Sequence, residues 1–425
     1  MVGKIYQDRN RTVDDLSKIC GHSNVAQDAA EMSAFGFSAV AKPKVVVRPG
    51  SVEEIQQIIL YAIRSNTGVI PFGGGTQIRQ VMTGSPAGIG LCMDRLQRVH
   101  EIEPGNLSIT TEAGVLNSTI QELLHPENLE FPVFADFAKS TIGGEVAANY
   151  SSWKRYKNGT ARDYVLGLTF ISPTGKVVKT GGKTVKNVSG YDLTKLLSGS
   201  WGTMGVLYLV TLKLNPLPEK KLILIREFTA VEGALEEGVR IQSKKPHLSS
   251  CNVFSGVAAD AANSPITMSI CLEGSGEFID DQAKKLHLSS SWRLVEDKSA
   301  FMSAEASYLN MRRMLKQESF NTVVVDKRGI RAAKNILQFL AEKGCAFDFD
   351  ITAGVLEFSH PGHANPSFQS FLGEWMRSLK GLNSNAKSFL PIKGPQPLLH
   401  RLLTTIDPHR IMFRNNLLTG GYHRE

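Results

Sequence analysis

The alternation of apolar and polar positions between residues 43 and 76 predicts a strand, a helix and a second strand. The β-branched run Val45–Val47 is typical of a strand. Apolar residues then recur at helical spacing from Val52 to Ala62, and Ser51 with Glu54 fits a capping box at the helix start. The segment "GVIPF" returns as a strand, so the pattern predicts a βαβ unit that ends at the consecutive glycines Gly73–Gly75.

Further patterns fill the N-terminal half. The segments "IGLCM" and "SITTEAG" are strand-like, and "LGLTFISPTGKVVKTGG" predicts a hairpin with Pro173, Thr174 and Gly175 in its turn. In "KSTIGGEVAANY" two glycines precede a helix-prone run, which predicts backbone N–H groups at a helix start. A proline-marked stretch near Leu217 predicts the end of this first lobe.

The second half repeats one architecture. Two strand–helix–strand groups lie between Leu222 and about Lys380, which predicts antiparallel sheet backed by helices and an α+β fold. A last helix, "QPLLHRLLTTIDP", leads to a tail that is expected to return to the first lobe. Since a single core usually stops growing at roughly 250 to 300 residues, the 425 residues predict two lobes.

Composition narrows the class of protein. The longest apolar runs are far shorter than a membrane span, and the N-terminus carries charges where a secretory signal has an apolar core. We therefore expect a cytoplasmic protein with no transmembrane segment, and leave peripheral attachment at the inner face of a membrane open. The five cysteines are scattered and include no CxxC pair, which excludes an iron–sulfur cluster site and a zinc ribbon in this chain. The net charge of +8 is not concentrated in a basic block, which disfavours nucleic acid and suits a bound dinucleotide or acid substrate.

The glycine run has two interpretations. Successive glycines permit positive φ and close backbone approach, so their N–H groups can converge on phosphate oxygens, with a hydroxyl from Thr76. The alternative is a tight turn of no consequence. Two more turns with exposed backbone follow, at residues 140–144 and in "SGSWGTMGV", which favours the phosphate interpretation. Neither a Rossmann G-x-G-x-x-G fingerprint nor a P-loop is present.

Five segments together resemble a known family. In order and spacing, "KPKVVVRPGSVEEIQQIILYA", "VIPFGGGTQ", "STIGGEVAAN", "RDYVLGL" and "KNVSGYDLTKLLSGSWGTMGVLYLVTLKLNPLP" look like the PCMH-type FAD-binding domain of the vanillyl-alcohol oxidase superfamily. The last of them is most similar to the FAD-binding E subunit of glycolate oxidase. The resemblance covers roughly residues 42–218. It implies a two-subdomain FAD-binding domain with an N-terminal extension (1–218), an α+β cap domain with antiparallel sheet (219–394) and a C-terminal helix and tail returning to the FAD domain (395–425).

The same resemblance implies the cofactor and its site. FAD is expected to bind non-covalently, because the glycine motif contains no histidine or cysteine. The implied FAD-binding residues are Pro71, Phe72, Gly73, Gly74, Gly75, Thr76, Gln77, Ser140, Thr141, Ile142, Gly144, Asn149, Lys186, Asn187, Tyr191, Gly205 and Val206.

Residues for chemistry are harder to identify. Oxidation of a 2-hydroxy acid needs cations for the carboxylate and a base for the hydroxyl, and Arg162, Lys186 and Tyr156 are the candidates. Each is also consistent with an ordinary surface or hydrogen-bonding role. In "FSHPGHAN", His360 and His363 have no third ligand nearby, so no metal site is predicted.

The sequence therefore predicts an FAD-dependent oxidoreductase acting on CH–OH groups. We expect an FAD-binding subunit of a glycolate or D-lactate type 2-hydroxyacid dehydrogenase complex, a hetero-oligomer in which electrons pass between its flavin and an iron–sulfur partner subunit beside a catalytic FAD subunit. Two alternatives stay open: a stand-alone FAD-dependent alcohol or hydroxyacid dehydrogenase, and a non-catalytic subunit whose fold FAD stabilises.

Overall fold

The computed structural model divides into two compact units. The first comprises Met1–Ser151, Thr160–Leu217 and Lys393–Glu425, and the second comprises Ser152–Gly159 and Pro218–Ile392. The structure describes residues 12–27, 43–76, 88–133, 138–182, 192–244, 246–255, 265–286, 290–295, 320–324, 330–359, 387–388, 405–409 and 411–412.

The described strands and helices alternate along both units. The strands are β1 Val25–Ala26, β2 Val45–Val47, β3 Val69–Phe72, β4 Ile89–Cys92, β5 Val99–Glu103, β6 Ser108–Glu112, β7 Leu129–Glu130, β8 Val165–Ile171, β9 Val177–Gly181, β10 Val206–Lys213, β11 Asn215–Pro216, β12 Lys220–Phe228, β13 Ser250–Ser255, β14 Ile266–Gly274, β15 Arg293–Val295, β16 Phe320–Val324, β17 Phe347–Asp350, β18 Val355–Ser359 and β19 Lys387–Ser388. The helices are α1 Val52–Arg64, α2 Asn117–Leu124, α3 Ile142–Ala148, α4 Arg155–Asn158, α5 Leu193–Leu197, α6 Val231–Ser243, α7 Gly276–Leu286 and α8 Ile330–Glu342, and residues 12–20 are also helical.

The first sheet of the first unit contains the strands expected around the glycine run. Its order is β1-β2-β4-β3, with β2 and β3 each parallel to β4. The predicted strand–helix–strand unit is present, but β4 lies between its two strands. At the start of α1 the Ser51 Oγ accepts from the Glu54 N–H at 3.2 Å, as a capping box requires. The Glu54 carboxylate accepts from the Gly50 N–H at 2.7 Å instead of from the N-cap residue itself.

The second sheet of the first unit is antiparallel, in the order β5-β6-β10-β8-β9. Strands β8 and β9 form the predicted hairpin, and Gly175 has a φ of +80° in its turn. Helices α2, α3 and α5 contribute apolar residues to the core on this sheet, among them Ile120, Val146 and Leu197. This core is separate from the one that packs α1 against the first sheet.

The second unit is built on one eight-stranded sheet. Its order is β15-β12-β14-β13-β17-β18-β16-β19, and every described pair in it is antiparallel. Helices α6, α7 and α8 bury apolar residues against every second residue of the central strands. This is expected because successive side chains of a strand point to opposite faces of the sheet. The α+β prediction is confirmed.

A buried ion cluster holds Ser152–Gly159 within the second unit. Lys154 Nζ and Lys157 Nζ lie 3.0 Å and 3.1 Å from the carboxylate oxygens of Glu273, whose side chain is fully buried. Burial opposes ionisation of Glu273, but the two ammonium groups outweigh it and lower its pKa. Since a buried carboxylate needs such partners, this cluster fixes α4 to strand β14.

Among the described helices, none is both long and apolar enough to cross a bilayer.

Candidate functional site

The glycine run forms the wall of a cleft in the first unit. Strand β3 ends at Phe72, and Gly73–Gly75 turn away from it, with Gly75 at a φ of +72°. A Cβ on Gly73 would lie 1.9 Å from Thr141 Oγ1, and one on Gly74 would lie 1.7 Å from the Lys139 carbonyl oxygen. The first two glycines therefore allow this turn to pack directly on the turn at residues 139–141, and the third supplies left-handed backbone.

This packing leaves backbone donors available. Among the described residues, the N–H groups of Gly73, Gly74 and Gly75 make no intramolecular hydrogen bond. All three residues line the cleft together with Thr76. Consecutive amides without internal acceptors are the arrangement that binds anionic oxygens.

The second turn is built differently from what the sequence suggested. Helix α3 begins at Ile142, so Gly143 and Gly144 lie inside its first turn instead of preceding it. The N–H groups of Ile142 and Gly143 donate to the carbonyl oxygens of Val115 and Ala113, at 2.9 Å and 2.8 Å.

The next N–H of this helix is also used, because Gly144 donates to the Thr141 Oγ1 at 3.2 Å. A Cβ on Gly143 would lie 2.6 Å from the Cβ of Ala113, which explains that glycine by packing. The amides at the start of α3 are thus occupied by the protein, and this turn contributes shape to the cleft.

The third turn, residues 198–205, completes the cleft. Gly202 has a φ of +75°, and a Cβ there would lie 2.6 Å from the Pro71 ring. Gly205 has a φ of +147°, and Trp201 adopts left-handed backbone with a φ of 54°. Such a conformation is costly outside glycine, so the loop is held by its surroundings.

Most of the FAD-binding residues implied by the resemblance meet in this cleft. Those that line it are Pro71, Phe72, Gly73, Gly74, Gly75, Thr76, Ser140, Thr141, Gly144, Gly205 and Val206. Two do not: Ile142 is fully buried in the core, and Asn149, which caps the end of α3, is not among the lining residues. Gln77, Lys186, Asn187 and Tyr191 lie outside the described residues.

Other lining residues were not in the set that the resemblance implied, although Gly143, Trp201 and Gly202 lie in turns that the sequence analysis singled out. They include Ile70, Met93, Ala113, Gly143, Glu145, Ala147, Ala148, Trp201, Gly202 and Leu207. Trp201 and Gly202 belong to the third glycine-rich segment, so that segment was a usable signal. Met93 and Ala113 follow buried strands and carried no distinguishing pattern.

The catalytic candidates fall in different places. The Arg162 guanidinium, in the first unit, donates to the Ser198 carbonyl oxygen. Tyr156 lies on α4 in the second unit and is 46% exposed. Lys186 lies outside the described residues, as do His360 and His363. Within the described part of the chain, no group of three or more His, Cys, Asp or Glu side chains could hold a metal ion.

A cysteine lies directly behind the glycine turn. Cys92 is fully buried and its Sγ lies 3.8 Å from the Gly73 carbonyl oxygen. Burial, reinforced by the nearby Asp94 carboxylate, raises the pKa of Cys92 to about 12. The thiol is therefore neutral at pH 7 and is not a nucleophile towards a bound cofactor.

A cleft whose backbone amides have no acceptor among the described residues can bind an anionic group such as a phosphate. Residues 43–181 match the family described as the FAD binding domain, so this segment is similar to that family and the FAD prediction is confirmed.

Curated proteins are similar to about half of the chain. The glycolate oxidase subunit GlcD of Bacillus subtilis is 29% identical over 228 residues, which cover 52% of this chain and 48% of the relative. A D-lactate dehydrogenase of Archaeoglobus fulgidus is 32% identical over 234 residues, covering 55% and 53% of the two chains. The chain thus spans about half the length of these curated relatives. An alkyldihydroxyacetonephosphate synthase structure matches 94% of this chain and 84% of its own with a TM-score of 0.70 and 16% identity, which shows a shared fold.

Proposed function

We propose that this chain is the FAD-binding subunit of a glycolate or D-lactate type 2-hydroxyacid dehydrogenase complex. It works beside a catalytic flavin subunit and passes electrons between its own FAD and an iron–sulfur partner. The observation that carries the proposal is the row of amides at Gly73–Gly75, which bond to no acceptor in the described part of the chain and lie inside the segment that matches the FAD binding domain family. A glycolate oxidase subunit and D-lactate dehydrogenases among the relatives support the substrate class.

The residues of the cleft have distinct tasks in this proposal. Gly73–Thr76 hold the FAD pyrophosphate through backbone amides and a hydroxyl. Ser140 and Thr141 shape the facing wall, and Gly205 with Val206 borders the adenine half. The bound flavin supplies the hydride-accepting chemistry, whereas the polypeptide binds and orients it.

The iron–sulfur carrier belongs to another chain in this proposal. The five cysteines of this chain are widely separated in sequence and all are buried as free thiols. Cluster ligation requires several thiolates converging on one site. Electrons therefore leave the flavin through a partner or a diffusible acceptor.

A stand-alone flavin dehydrogenase is the second candidate. It is favoured by the D-lactate dehydrogenases among the relatives, whose names specify no subunit. Here the isolated chain alone would oxidise a 2-hydroxy acid.

Anaerobic reduction of the bound flavin separates the two candidates. The purified chain is mixed with glycolate, D-lactate or L-lactate, and bleaching of the flavin absorbance is followed, with dithionite as the positive control. The subunit proposal expects bleaching only after a catalytic flavin subunit and an iron–sulfur subunit are added. Rapid bleaching of the isolated chain would support the stand-alone enzyme. A flavin that never changes redox state in a fully active complex would contradict both.

A further inference from the structure

Arg162 lies where two walls of the cleft meet. It is the middle residue of the 3-10 helix Ala161–Asp163, whose backbone is fixed by a capping box between Thr160 and Asp163. The Thr160 N–H donates to the Asp163 carboxylate at 2.8 Å, and the Ala161 N–H donates to the Tyr150 carbonyl oxygen at 2.8 Å. The position of Arg162 is therefore set by its neighbours.

Arg162 bonds to both walls at once. Its backbone N–H donates to the Asn149 Oδ1 at 3.0 Å, and Asn149 directly follows the cleft-lining Ala148. Its guanidinium donates through Nε and Nη2 to the Ser198 carbonyl oxygen, with Nε at 3.2 Å. Ser198 is completely buried and starts the loop that brings Trp201 into the cleft.

Gly199, the residue after Ser198, leaves room for the contact between Arg162 and Ser198. Gly199 has a φ of +89°, and a Cβ there would lie 3.0 Å from the Arg162 Nη2 and 3.2 Å from the Asn149 Cβ. The Gly199 N–H donates to the Val146 carbonyl oxygen at 3.0 Å, and the Trp201 N–H donates to the Ala147 carbonyl oxygen at 2.9 Å. The end of α3 and the start of the loop are thus joined by two backbone bonds and by Arg162.

We infer that Arg162 is a positioning residue for FAD, which fixes the 198–205 loop against the end of helix α3 and thereby sets the shape of the cleft. This inference rests on the proposal that the cleft holds FAD. The Nε and Nη2 of Arg162 both donate to the Ser198 carbonyl oxygen, and Arg162 is not among the residues that line the cleft, so it acts on FAD through the loop. A lysine at this position keeps the charge but cannot reproduce the fork.

The test is an FAD titration of the apoprotein in four forms: wild type, Arg162→Lys, Arg162→Met and Arg64→Lys. Arg64 is an exposed arginine in the last turn of α1 and serves as the matched control. Each apoprotein is also melted, and the visible circular dichroism of bound flavin is recorded.

We expect the Kd for FAD to rise about tenfold in Arg162→Met and less in Arg162→Lys, because a neutral side chain loses both charge-assisted bonds and lysine keeps one. The flavin dichroism should change in both, with apoprotein melting close to that of wild type and of Arg64→Lys. Wild-type Kd and dichroism in the Arg162 variants would overturn the inference. So would a rise in Kd that merely follows a loss of apoprotein stability, with unchanged dichroism. If wild type itself takes up no FAD, the proposed function fails instead.

Discussion

At the residue scale, glycine is needed at neighbouring positions of the cleft for different physical reasons. Gly73 and Gly74 are required because a side chain would collide with Thr141 and with the Lys139 carbonyl oxygen. Gly75 is favoured by its positive φ. From the sequence alone, close approach to a ligand was the expected reason. The structure shows a second reason, which is that two turns of the protein itself approach each other closely. A sequence pattern cannot show such a contact.

Replacing Gly74 by alanine tests this packing. Because the new Cβ would overlap a backbone oxygen, we expect Gly74→Ala to destabilise the protein by about 1–3 kcal/mol and to weaken FAD binding by about tenfold or more. Urea unfolding and FAD titration measure the two effects. Gly105→Ala is the control, since a Cβ there meets nothing within 4 Å. Equal stability and FAD affinity in the two variants would contradict the packing argument.

Asp350 gives the second unit a pH dependence. Burial raises the pKa of Asp350 from its ordinary 3.8 to about 6, although Thr352 and Ala353 donate hydrogen bonds to its Oδ1. The folded state therefore holds the proton more tightly than the unfolded state does. The resulting stability is complete below the unfolded pKa and is lost as pH rises through the folded one.

We expect the substitution Asp350→Asn to remove this loss of folding stability with rising pH. The unfolded and folded pKa values of Asp350 bound a range from about pH 4 to about pH 6. In this range the slope of the unfolding free energy against pH should change by up to about 1.4 kcal/mol per pH unit, which is the contribution of one proton. Urea unfolding at several pH values measures it. Asp281→Asn, on the exposed side of α7, is the control. An unchanged slope in Asp350→Asn would show that Asp350 titrates normally.

At the element scale, strand β3 depends on residues far along the chain. It is an edge strand of its sheet, and its Val69 N–H donates to the Ile411 carbonyl oxygen at 2.8 Å. Buried Asp407 accepts from the N–H groups of Ile411 and Met412 at 3.1 Å and 2.8 Å. These residues of the C-terminal segment therefore cover the edge of the strand that leads into the glycine turn.

Breaking this contact should loosen the turn. We expect Asp407→Ala to cost about 1–3 kcal/mol, because two buried amides lose their acceptor, and to increase the rate of FAD release. Thermal melting and the release of flavin fluorescence on dilution measure both. His409→Ala changes an exposed neighbour and should leave both unaltered. If Asp407→Ala releases FAD no faster than His409→Ala, the segment has no part in holding β3.

Local elements were predictable because their signals are local. The helical spacing from Val52 to Ala62 and the turn at Gly175 both correspond to observed structure. The placement of β4 between β2 and β3 was not predictable, since strand order depends on long-range pairing. Strand β13 was overlooked because "SCNVFS" mixes polar with apolar residues, all of which are buried. In the cleft, the amides at the start of α3 donate to the carbonyl oxygens of Ala113 and Val115, about 30 residues earlier in the chain. This pairing is also long-range, so a local sequence pattern could not predict that these amides are occupied.

At the scale of the whole molecule, one unit carries the nucleotide cleft and the other an antiparallel sheet with buried ionisable groups. The first unit includes most of the segment that matches the FAD binding domain family. The division of the chain into an FAD-binding domain, a cap and a returning tail remains our proposal for how these units work. Whether the isolated chain oxidises a 2-hydroxy acid or needs partner subunits is decided by the anaerobic reduction experiment.

The central claim is that the amide-lined cleft of this chain binds FAD, and equilibrium titration of the purified apoprotein with FAD tests it most directly. The account predicts a saturable, one-to-one uptake with a flavin absorption spectrum, weakened in Gly74→Ala and unchanged in Gly105→Ala. A protein that stays colourless and takes up no FAD, alone or with its partner subunits, would contradict it.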